Sequence, residues 1–262
     1  MTKRYFVGNL KMNPVSVSQA DAYLDALREE LSGKAFNDTK VIIAPPAVYL
    51  ERFGNRLPKG ISLAAQDTFW EPEGSFTGQI SPNMLRDLGS AFVIVGHSER
   101  RSYAHETDTE VGQKVRAAIR EGLRPIVCVG ETADEKEQNE TGTVITRQVT
   151  EALRDVSFED IGRIIVAYEP RWAIGTDRTP EREEIREVAI LIRKVIDSLR
   201  GESGSEVPVL YGGSVKTSLL EKVCFGPGMD GVLVGRDSLI PKEVVAMVAI
   251  IDSYVEKGTD GE

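Results

Sequence analysis

The chain has 262 residues, a length that one α/β barrel of about 250 residues fills and that also allows two smaller domains. With 41% hydrophobic and 28% charged residues it can bury a sizeable core, which excludes a disordered or collagen-like polymer. Its 32 basic and 41 acidic residues give a net charge of -9, the wrong sign for coating nucleic acid or an anionic membrane, so an anionic ligand would have to be held by local backbone amides and a lysine.

Short apolar, β-branched runs alternate with amphipathic stretches along the whole chain, and no Pro/Ser-rich linker or charge block divides it. Strands are predicted at 5–8, 41–44, 62–65, 92–95, 125–129, 164–168, 209–211 and 231–234. Between them, Ser81-Pro82 and Thr179-Pro180 each place a capping residue before a first-turn proline. The helix predicted over 180–200 carries Ile185, Val188, Ala189, Ile192, Val195, Ile196 and Leu199 as one apolar stripe. Strands apolar on both faces, joined by helical crossovers, are parallel. About eight such units can close into a barrel, although an open doubly wound sheet uses the same unit. The two cysteines, Cys128 and Cys224, show neither Cys-x-x-Cys nor zinc-ligand spacing and fit a reducing, cytoplasmic setting. No apolar run reaches the roughly 18 residues of a membrane span, so a soluble, unprocessed chain is expected.

In a parallel barrel, chemistry collects just after the strands. The first runs into Asn9-Leu10-Lys11-Met12-Asn13, and the fourth into Gly96-His97-Ser98-Glu99-Arg100-Arg101. The sixth runs into Tyr168-Glu169-Pro170, where partial desolvation would raise the carboxyl pKa and suit it as a base. Taken singly, these are equally a solvated lysine, a structural histidine and a loop carboxylate. The apolar tip Arg171-Trp172-Ala173-Ile174-Gly175-Thr176 reads as a lid, because such a loop is odd unless it closes over something. Tyr211-Gly212-Gly213-Ser214 and Val234-Gly235-Arg236 are glycine turns whose free amides could hold phosphate, or simply tight turns.

Together and in this order, these motifs resemble the triosephosphate isomerase family over residues 9–239. The resemblance implies a TIM (β/α)8 barrel, one domain over 1–262, and interconversion of dihydroxyacetone phosphate and glyceraldehyde 3-phosphate through an enediolate, with no cofactor and no metal. This family is itself a standing example of glutamate-base and neutral-imidazole catalysis, so the roles are carried over from it. Glu169 matches the base, His97 the imidazole that polarises the carbonyl, and Lys11 the cation beside the oxyanion and phosphate. Asn9 completes the electrophilic side, and Glu99 matches a shuttling or orienting carboxylate. The amides of Gly175, Ser214, Gly235 and Arg236 match the phosphate site. Pro170, Arg171, Trp172, Ala173, Ile174 and Thr176 match the lid, which spans 170–178 and works with Tyr211, while Ile174 and Leu233 match an apolar clamp on Glu169. The segment from Gln66 to Gln79, with Phe76 near its tip, matches a loop that inserts into a second subunit, so a homodimer is expected.

The chain departs from the usual family pattern at several positions. Leu10 stands where tryptophan is common, Arg171 where the first lid hinge is usually valine, and Asp177-Arg178 where Gly-Lys is frequent. Asp67 replaces a common asparagine, and Gln79 a glutamate that pairs with the arginine matching Arg100. Arg236 replaces a second glycine; its amide keeps the phosphate only if its backbone can adopt the needed angles. An isomerase of another small ketose phosphate, such as a tetrulose phosphate, and a silent phosphate-binding barrel are the alternatives. The retention of Lys11, His97 and Glu169 argues against the silent barrel, and a Schiff-base aldolase would want a lysine where Glu169 stands.

Overall fold

The computed structural model describes residues 4–174, 178–201, 206–225 and 228–254. Eight strands form a closed barrel in sequence order: β1 (Arg4–Asn9), β2 (Thr39–Ala44), β3 (Ile61–Ala65), β4 (Phe92–Val95), β5 (Arg124–Val129), β6 (Ile165–Tyr168), β7 (Val209–Tyr211) and β8 (Gly231–Val234). Every neighbouring pair is parallel, and β8 closes on β1 with Tyr5 opposite Gly231. A side chain at 231 would fall on the Tyr5 carbonyl, so glycine is what lets the last strand approach the first.

The wall is built by α1 (Val17–Glu30), α2 (Leu50–Arg56), α3 (Pro82–Asp87), α4 (Ser98–Tyr103), α5 (Asp108–Arg120), α6 (Ala133–Glu137), α7 (Thr141–Leu153), α8 (Arg182–Arg200) and α9 (Pro241–Ser253). The doubly wound alternative is thereby set aside. Ser81 caps α3, accepting from the Met84 amide at 3.3 Å with Pro82 in the first turn, as expected. α8 differs: it starts at Arg182, not Pro180, and its cap is Glu181 rather than Thr179. The Glu181 amide donates to Glu184 Oε2 at 2.8 Å, so Glu181 and Glu184 supply a capping box themselves.

The core has two layers. Tyr5, Val7, Ile42, Ile94, Ile126, Cys128, Ile165, Ala167, Leu210 and Leu233 fill the barrel interior. Their alternates, among them Phe6, Val41, Val93, Val127, Val166 and Tyr168, pack outward against the helices, including the buried stripe Ile185, Val188, Ala189, Ile192, Val195 and Ile196 of α8. Leu10 joins that outer layer and is fully buried. Side chains alternate with period two along a strand, so the inward set continues from Val7 to Asn9, from Ala167 to Glu169 and from Leu233 to Gly235. The fold thus delivers these three positions to the mouth.

Candidate active site

A cleft of about 580 Å³ opens at the carboxyl ends of the strands and is lined by Lys11, His97, Glu99, Glu169, Arg171, Ile174, Ser214, Leu233, Gly235 and Arg236, among others. Glu169 is 2% exposed. Its Oε2 accepts the Ser98 amide at 3.0 Å, and its Oε1 lies 3.1 Å from His97 Nε2. Close backbone approach makes room for it: a Cβ on Gly130 would strike the Glu169 carbonyl, and one on Gly212 would lie 2.7 Å from Glu169 Cγ. The Tyr211-Gly212-Gly213-Ser214 turn therefore helps to seat the Glu169 side chain.

His97 caps α4, and its Nδ1 accepts the Glu99 amide at 3.3 Å. An accepting Nδ1 carries no proton, so the neutral ring holds its proton on Nε2, the nitrogen that faces Glu169 and the cleft. Burial pushes Glu169 upward, but His97, the Ser98 amide and Lys11 outweigh it and hold the carboxyl below its ordinary range. This corrects the expectation of a raised pKa, which counted desolvation alone. Burial likewise pushes His97 down, and the Glu169 carboxylate outweighs it, so the imidazole sits above its ordinary 6.5. In an imidazole ¹⁵N titration of the ligand-free protein, His97 is expected to titrate above 6.5 and Glu169→Gln to lower its midpoint, since the charge goes and the burial stays. A midpoint unmoved by Glu169→Gln would show that the carboxylate does not govern the ring.

Lys11 follows β1 with a left-handed φ of 52°. Its amide donates to Asn9 Oδ1 at 3.0 Å, its carbonyl accepts Gln66 Nε2 at 2.8 Å, and its Nζ reaches Glu99 Oε1 at 2.6 Å. Asn9 thus acts here on the lysine backbone, and Glu99 on its ammonium group. A Cβ on Gly235 would lie 3.0 Å from Lys11 Cε, so that glycine clears the lysine stem. Among the described non-glycine residues only Lys11, His105 and Asn139 have positive φ, so Arg236 sits at its turn without left-handed strain.

Of the expected lid, Pro170 to Ile174 are described, while Gly175, Thr176 and Asp177 lie outside the described residues. The Arg171 amide donates to the Glu131 carbonyl at 3.0 Å and Trp172 Nε1 to Glu131 Oε1 at 2.8 Å. Arg171 Nη2 donates to Ser102 Oγ at 2.7 Å, a contact the usual valine could not make. Ser214 Oγ donates to the Ala173 carbonyl at 2.8 Å. The Tyr211 hydroxyl is buried with no hydrogen-bond partner among the described residues, and burial pushes its pKa up. Ile174 and Leu233 line the same cleft as Glu169.

Sequence reading passed over Glu131, which is fully buried and also accepts the Tyr168 hydroxyl at 3.2 Å. The sequence signal for it is its place two residues beyond β5, at a strand end where chemistry collects in a parallel barrel. Arg100, expected to lose its ion pair because position 79 is glutamine, has two within the chain: Asp67 at 2.9 Å and Glu106 at 3.2 Å.

A closed parallel barrel whose mouth brings a buried carboxylate, an imidazole and a lysine together defines an enzyme of the (β/α)8 class. The family model for triosephosphate isomerase matches residues 4–251. The triosephosphate isomerase of Moorella thermoacetica is 41% identical over 253 residues, covering 96% of this chain and 99% of its own. That of Alkaliphilus oremlandii is 40% identical over 250 residues (95% and 99%), and that of Coprinopsis cinerea 40% over 248 residues (93% and 97%). The chain belongs to the triosephosphate isomerase family.

Proposed function

We propose that the chain, folded as a single barrel domain, interconverts dihydroxyacetone phosphate and D-glyceraldehyde 3-phosphate, an aldose–ketose isomerisation. The observation that carries the reading is the 3.1 Å approach of Glu169 to His97 Nε2 at a mouth that also holds Lys11. Glu169 removes a proton from one substrate carbon and returns it to the adjacent one, so no electrons leave the substrate and no redox partner is consumed. His97 donates its Nε2 proton in a hydrogen bond to the carbonyl oxygen as charge develops there. For this, Glu169 leaves His97 and the substrate carbonyl takes its place. Lys11, oriented by Glu99 and Asn9, adds positive charge beside the same oxygen and the phosphate.

The phosphate dianion rests on the amides of Ser214, Gly235 and Arg236, with Gly175 as a further donor and residues 170–178 as the lid that excludes water. Backbone dipoles suit this task in a protein whose net charge of -9 repels an anion at long range. The test is conversion of glyceraldehyde 3-phosphate in a coupled assay. A folded protein without measurable turnover would overturn the reading.

The working form is a cytoplasmic homodimer. A second cleft of about 470 Å³, lined by Lys11, Gln66, Gln79, His97, Glu99 and Arg100, shares Lys11, His97 and Glu99 with the first and can receive a loop. Apolar side chains stand exposed nearby in sequence, Met12 at 85%, Val48 at 82% and Tyr103 at 84%, and Phe76 at the tip of the 66–79 arm at 43%. Phe76→Glu is expected to shift the sedimentation coefficient from dimer to monomer and to depress turnover with it. A parent chain that sediments as a monomer at assay concentration would refute the dimer.

A further inference from the structure

Four charged side chains close a ring beneath the root of the 66–79 arm. Lys114 Nζ donates to Asp67 Oδ1 at 2.7 Å and, closer still, to Glu106 Oε1. Arg100 joins the same two acids, through Nη2 to Asp67 Oδ2 at 2.9 Å and through Nε to Glu106 Oε1 at 3.2 Å. The side chains of Lys114 and Glu106 are each only 4% exposed, so neither charge can fall back on water if the ring opens. The remaining oxygen of Glu106 leaves the ring and accepts the Gly96 amide at 3.1 Å. Gly96, with a left-handed φ of 69°, is the residue before His97. Arg100 sits in α4, the helix that His97 caps, and its amide donates to the His97 carbonyl at 2.8 Å. The ring therefore grips the chain on both sides of the imidazole.

We propose that Asp67 is a positioning residue for the proton-transfer reaction: it completes the ring, which keeps Glu106 on the Gly96 amide and thereby fixes the His97 ring toward the substrate carbonyl. This rests on the isomerase reading above. With asparagine at 67 the ring holds two cations and one carboxylate. Lys114 and Arg100 then both draw on Glu106, which is pulled away from the Gly96 amide, and His97 loses its fixed approach. Small misplacements of a reacting group cost rate far more than binding.

The full chain is compared with Asp67→Asn and the charge-keeping Asp67→Glu. Asp67→Asn is expected to lower kcat by about 10-fold with KM changed less than about twofold, and Asp67→Glu to recover most of the loss. His97 and His105 are the two histidines of the chain, so imidazole ¹⁵N signals are assignable by difference. The His97 signals of the ligand-free protein should move in Asp67→Asn and return in Asp67→Glu. Glu106→Gln should reproduce the shift, with the double variant no worse than the worse single one, which keeps the test open if Asp67→Asn folds poorly. Unchanged His97 signals and kcat in Asp67→Asn, with stability alone reduced, would overturn the proposal, as would additive losses in the double variant. A parent chain lacking isomerase activity would defeat the isomerase reading, while the His97 signals would still decide whether Asp67 positions that ring.

Discussion

Glu169→Asp is expected to reduce kcat by about 10²–10³-fold while leaving KM within a few-fold, measured as glyceraldehyde 3-phosphate turnover at matched fold and dimer content. The shorter side chain keeps the charge but withdraws the carboxylate by one methylene, more than a proton transfer between heavy atoms roughly 3 Å apart tolerates. The pocket cannot compensate by sliding inward. Gly130 and Gly212 already bring their backbones against residue 169, and the Ser98 amide holds the carboxylate from the other side at 3.0 Å. Glu169→Gln removes the base altogether and should cost turnover more than Glu169→Asp does. The order separates a base from a packing residue, since glutamine matches glutamate in size and aspartate does not. Equal activities for the parent and Glu169→Gln would sink the assignment.

Short strands apolar on both faces, alternating with amphipathic helices, made the eight-unit repeat legible, and the polar residue after each apolar run gave Lys11, His97 and Glu169. What stayed hidden depends on pairs far apart in the chain. The sign of the Glu169 shift is one case: burial is readable from its apolar strand, but His97 and the Ser98 amide, which reverse the sign, arrive from β4 and α4. Asp67 is another, read alone as the loss of an asparagine and understood only beside Lys114 of α5. The start of α8 failed for a local reason. Thr179-Pro180 is a sound capping signal, but Glu181 and Glu184, two residues further on, satisfy the same amides through a capping box.

Lys11→Met should lower kcat/KM by about 10³-fold, through both a higher KM and a lower kcat, because in the proposed reaction the ammonium group serves both the phosphate and the developing oxyanion. The chain holds the lysine at a cost: a left-handed φ of 52° on a residue with a side chain is backbone strain of order 1 kcal/mol. Asn9 and Gln66 pin the peptide from two directions at 3.0 and 2.8 Å, and Gly235 clears the stem. The ammonium pairs with Glu99, but their side chains are 28% and 42% exposed, so that ion pair contributes less than about 1 kcal/mol to folding. Thermal stability should therefore change little while activity collapses. Lys11→Arg sharpens the point, since it keeps the charge but brings a broad planar group to a site where Gly235 leaves room for a slim stem. It should recover only part of the loss. A Lys11→Met protein within about tenfold of the parent would mean that the backbone amides alone hold and polarise the substrate.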